Sequence, residues 1–88
     1  MTSKELEKIN EIAKETFGEG TMVIKTAERG RFMQLALIDS IGSPICVMDY
    51  QSDANCIFAV YSTHSTSLAN TVVLRELADF IEKVEGRK

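Results

Sequence analysis

Apolar and polar positions recur along this chain with two different periods. From Leu6 onward, Leu6, Ile9, Ile12, Ala13, Thr16 and Phe17 fall at helical spacing, with Lys4, Glu7, Lys8, Glu11, Lys14 and Glu15 mostly on the opposite side. Thr2 with Glu5 three residues later makes a capping-box pattern, and Gly18 and Gly20 supply a stop. The spacing therefore predicts a first helix that ends by residue 18. The period then shortens. Residues 21–27, 31–39, 45–51 and 56–63 read as strands, separated by Glu28-Arg29-Gly30, by Ser40-Ile41-Gly42-Ser43-Pro44 and by Ser52-Asp53-Ala54-Asn55. Connections this short favour hairpins. From Thr66 to about Val84 the helical period returns, with Val73, Leu74, Leu77, Ala78, Phe80, Ile81 and Val84 on its apolar side. The expected fold is α+β, a two-layer α-β-β-β-β-α arrangement: a four-stranded antiparallel meander with both helices on one face.

The strand region is unusually poor in charge. Between Phe32 and Leu74 the only formal charges are Asp39, Asp49 and Asp53, with no Lys or Arg. That is more apolar strand than one buried sheet face needs. Two-residue turns centred on Arg29-Gly30, Ile41-Gly42 and Asp53-Ala54 would oppose Ile24 to Leu35, Leu35 to Met48 and Met48 to Ala59. Because side chains alternate, that register assigns each residue to a face. Met22, Ile24, Met33, Leu35, Leu37, Cys46, Met48, Tyr50, Ile57, Ala59 and Tyr61 would lie beneath the helices. The other face would carry the row Val23, Ala36, Val47 and Val60 beside the row Lys25, Gln34, Asp49 and Phe58, flanked by Ile38, Ile45 and Phe32. An apolar strip left uncovered by helices is the kind of surface that marks a recognition site. Its expected interface residues are Val23, Lys25, Ala36, Val47, Asp49, Phe58 and Val60, and a second copy or another protein is its expected partner.

Composition narrows the classes without naming an activity. Eighty-eight residues make one domain, residues 1–88, near the size where a single core is barely sufficient. A net charge of −3, with the basic residues scattered among acids, argues against a nucleic-acid surface. There is no 18-residue apolar run and the first residues are polar, so neither a membrane span nor a signal peptide is expected and the predicted compartment is the cytoplasm. Cys46 and Cys56 are expected as reduced thiols, because the register sets them opposite Tyr61 and Gln51 on different faces.

The richest polar cluster runs from Tyr61 to Ser67. With Ser65 or Thr66 as N-cap and no acid before Glu76, the second helix would present an uncompensated positive end. Thr63, His64, Ser65, Thr66 and Ser67 are then candidates for holding a small anion or nucleotide-type ligand. His64 is the only histidine, and no third residue is identifiable to orient it toward a nucleophile, so no catalytic set is assigned. Cys46, Cys56 and His64 are too few for a metal site, and no cofactor motif is present. The expectation is a non-enzymatic protein-binding or regulatory module that oligomerises through the open sheet face, the alternative being an anion binder at the hydroxyl-rich turn.

Overall fold

A computed structural model describes residues 3–63 and 70–86. Helix α1 spans Ser3–Phe17, strands β1 to β4 span Met22–Arg29, Phe32–Ile38, Pro44–Gln51 and Cys56–Ser62, and helix α2 spans Thr71–Glu85. The strands form one antiparallel sheet in the order β1-β2-β3-β4. The predicted meander and element order are therefore observed. Both helices lie on one side of the sheet. Ile9 and Ala13 of α1 and Leu77, Phe80 and Val84 of α2 form a single buried cluster with Val23, Met33, Leu35, Leu37, Cys46, Met48, Tyr50 and Ile57. Phe17 and Phe80 join the helices with ring centroids 5.6 Å apart. None of the described helices is long and apolar enough to cross a membrane.

Three local devices decide which residues reach that core. The first is the β1–β2 turn. Arg29 pairs with Phe32, so the central residues are Gly30 and Arg31, and Gly30 has φ 60. A tight hairpin turn of this kind takes a positive φ at its first central position, which glycine supplies without steric cost. The expected turn put Gly30 second, two residues out of step in the pairing. A β-bulge between Lys25 and Ala27 returns one of those residues, leaving Lys25 opposite Leu35 and Val23 opposite Leu37. The net one-residue slip reverses the faces of the first half of β1.

The second device is a bulge in β4. Gln51–Cys56 and Tyr50–Ile57 pair as expected, but the next pair is Asp49–Ala59, with Phe58 left over. Beyond it Met48 meets Val60 and Val47 meets Tyr61, so β4 also changes face midway. The third lies after the β2–β3 loop, where Ile38 pairs with Pro44 and Leu37 with Cys46. Ile45 is the extra residue and packs against the core rather than on the open face. The loop before it is held by Asp39, whose Oδ1 accepts from the backbone N–H of Ile41 (3.1 Å) and of Ser43 (2.9 Å).

Cys46 is fully buried, faces Ser62 rather than Tyr61, and like Cys56 is a free thiol. Helix α2 begins five residues later than its periodicity suggested. Asn70 is its N-cap, and the Asn70 side chain accepts from the N–H of Val72 at 2.9 Å and of Val73 at 3.4 Å. Ser65 and Thr66, the expected caps, lie outside the described residues.

Candidate functional site: the open face of the sheet

The side of the sheet away from the helices has no covering element among the described residues. Its central row is Ile24, Ala36, Val47 and Tyr61, each opposed to the next across a strand pair. A second row of Ala27, Gln34, Asp49 and Ala59 runs beside it. Met22 and Ile38 close one end, and Phe32 with Phe58 closes the other. The two phenylalanine rings meet edge to face, with centroids 5.9 Å apart. Ile24 remains 39% exposed, Tyr61 49% and Phe58 54%, whereas the small Ala36 between them is only 7% exposed. Large apolar side chains therefore stand around a centre of small ones, giving a shallow, mostly apolar basin. At the aromatic end it deepens into a depression of about 420 Å³, lined by Ala27, Arg29, Phe32, Gln34, Asp49 and Phe58.

The polar groups on this face are few and ordered. The Tyr61 hydroxyl donates to Asp49 Oδ2 at 2.7 Å, and that carboxylate holds the Tyr61 pKa above its ordinary value. The Thr26 hydroxyl lies 3.1 Å from Gln34 Oε1 and 3.2 Å from the Gln34 carbonyl oxygen. Arg31 stacks over Phe32, 5.3 Å from the ring centroid, and reaches Asp53 at 3.4 Å across the turns.

Of the expected interface residues, Ala36, Val47, Asp49 and Phe58 are on this face. Val23, Lys25 and Val60 are not. Val23 is 1% exposed and belongs to the core, because the turn at Gly30 and the β1 bulge turn it inward. Lys25 turns with it toward the helix side, where it pairs with Glu28 at 2.6 Å and borders a groove against α1. The Phe58 bulge likewise sends Val60 inward, opposite Met48. Met22, Ile24, Ala59 and Tyr61, expected beneath the helices, take the vacated places. The exchange leaves the open face more apolar than the sequence register implied, since a lysine leaves and isoleucine, methionine and tyrosine arrive. The local signals were present: Gly30 is the only glycine of the turn, and Phe58-Ala59-Val60 breaks the strand's alternation.

Each edge of the sheet is met at one residue by a side chain from a helix. Asn10 of α1 accepts from the Val23 N–H at 2.8 Å and donates to the Val23 carbonyl at 3.0 Å, copying both bonds of a neighbouring strand. On the far edge the Glu85 carboxylate of α2 accepts from the Ile57 N–H at 3.0 Å. Unpaired edge groups invite strand addition, and these contacts occupy those of Val23 and the N–H of Ile57.

Among the described residues no three His, Cys, Asp or Glu side chains gather as a metal site would require. Burial pushes the Cys46 thiol up to about 11, which keeps it protonated at neutral pH. Of the candidate anion-binding turn only Thr63 is described, and its hydroxyl donates to the Pro44 carbonyl at 2.9 Å. His64, Ser65, Thr66 and Ser67 lie outside the described residues. No protein-family model, curated protein or solved structure matches the chain.

Proposed function

We propose that this protein is a non-enzymatic protein-binding module, of the accessory or regulatory kind, that assembles through the open face of its sheet. The carrying observation is the contiguous apolar row Ile24, Ala36, Val47 and Tyr61 with Met22, Phe32 and Phe58 around it, of which Met22, Ile24, Phe32, Phe58 and Tyr61 stand exposed on a sheet whose other face is already filled. Covering it is favourable: these half-exposed side chains would gain part of the about 1.5–3 kcal/mol that full burial of an exposed large side chain contributes. The few polar groups beside it give orientation rather than chemistry.

The test is oligomeric state. Light scattering during size-exclusion chromatography should give the wild-type chain a mass that is a multiple of 9.8 kDa. Val47→Arg, which sets a charge in the centre of the row, should elute as a folded monomer with an unchanged circular dichroism spectrum. A wild-type chain that stays monomeric at high micromolar concentration removes the self-association reading and leaves a foreign protein as the partner.

A further inference from the structure

We infer that the open face is covered by a second copy of this chain, stacked sheet on sheet, with the two-fold axis parallel to the strands and between β2 and β3. This rests on the reading of that face as the assembly surface and specifies what sits on it and how. Size permits it. Four strands of about seven residues offer roughly 450 Å² of flat sheet per copy. A pair therefore covers about 900 Å² before the relief of side chains is added, close to the ~1,000 Å² that specific interfaces exceed.

The polar groups choose the axis. Gln34 and Asp49 are cross-strand neighbours in the centre of the face. Gln34 Oε1 is engaged by Thr26, while its amide N–H groups find no acceptor among the described residues. Asp49 Oδ2 is engaged by Tyr61, while Oδ1 finds no donor there. One residue offers donors and the other an acceptor, and they occupy the same row on the two central strands. A two-fold axis along the strands lays β2 of one copy over β3 of the other, so Gln34 meets the second copy's Asp49 twice, reciprocally. The same rotation sets Ala36 against Val47 and Ile24 against Tyr61, apolar against apolar. An axis across the strands would instead press each Asp49 carboxylate onto a Val47, burying a charge without a donor. Strand addition at the edges would have to displace Asn10 from Val23 on β1 or Glu85 from Ile57 on β4.

The two axes differ in where they put the β1–β2 turns. With the axis along the strands both turns lie at the same end of the sandwich, and with the axis across them they lie at opposite ends. A spin label attached to Arg31→Cys in a Cys56→Ser chain reports this, Cys46 being fully buried. Sheets ~10 Å apart and strands ~4.8 Å apart predict a label separation below about 20 Å. A dimer with a separation above about 25 Å overturns the arrangement while leaving assembly through the face intact. A monomeric labelled chain whose unlabelled form is also monomeric overturns both. As a second measurement, Gln34→Ala and Asp49→Ala should each weaken the dimer at least about fivefold in Kd. If neither changes Kd while Val47→Arg abolishes the dimer, the reciprocal pair is excluded.

Discussion

Tyr50 shows how one side chain ties three elements together. Its ring is 1% exposed in the core, and its hydroxyl donates to Asn55 Oδ1 at 2.8 Å and lies 3.4 Å from Glu5 Oε2. Asn55 in turn donates to the Val84 carbonyl at 2.7 Å, and Ser52 donates to the same Glu5 oxygen at 2.8 Å. The β3–β4 turn is thereby fastened to the start of α1 and the end of α2. Asn55 takes φ 48, a conformation asparagine tolerates better than most residues. Burial, with the Glu5 carboxylate nearby, pushes the Tyr50 pKa up to about 12 from an ordinary 10.0. Burial alone moves Cys46 to about 11 from 9.0. Both folded-state values are raised, so both groups support the fold fully below their unfolded values and less as pH rises. Stability should therefore hold to about pH 9 and fall progressively toward pH 12. Tyr50→Phe should cost about 1–3 kcal/mol at pH 7, by removing the donor to Asn55 Oδ1, and should flatten the fall between pH 10 and 12. Urea midpoints measured across that range check both points, and an alkaline decline as steep as wild type would exclude Tyr50 as its source.

At the scale of elements, the helices do more than cover the sheet. Asn10 is a weak helix former at mid-helix, and its use is tertiary: it satisfies the Val23 backbone on the neighbouring edge strand and also donates to Leu6 O at 3.0 Å. Helical periodicity identifies Asn10 as polar but is silent about a partner thirteen residues away. Asn10→Ala should lower stability by about 1–3 kcal/mol. It should also speed hydrogen exchange at the Val23 amide relative to the Leu35 amide. Unchanged protection at Val23 would mean that another group, not Asn10, closes this edge. The ends of the elements were legible where glycine or asparagine sets the backbone, as at Gly18 and Gly42. The start of α2 was not, because Ser65, Thr66 and Asn70 are all competent caps and only the path of the chain selects Asn70.

For the molecule as a whole, one filled face and one open face make folding and assembly parts of the same equilibrium. Among the described residues the core contains thirteen buried apolar residues, a modest number for a domain of this size. Burying the second face in an assembly adds stability by mass action, so the melting temperature should rise with protein concentration. Val47→Arg should melt at a temperature independent of concentration. Scanning calorimetry over a hundredfold range of concentration distinguishes the two, and a wild-type melting point that does not move would argue against coupling.

Helical and strand periods, turn residues and the lack of charge from Phe32 to Leu74 determine the element order, the meander and the surplus of apolar strand. They do not determine which face receives each residue. Alternation has period two, so a one-residue slip moves every following side chain to the other side. The bulges near Thr26 and at Phe58 each make such a slip, whereas the turn at Gly30 shifts the pairing by two residues and by itself leaves the faces unchanged. Ala36, Val47, Asp49 and Phe58 lie on the open face as the sequence register implies, because the central β2–β3 register runs unbroken through Ala36, Val47 and Asp49, and Phe58 is the bulge itself. Val23, Lys25 and Val60 lie beyond the irregularities, and only the tertiary structure could place them.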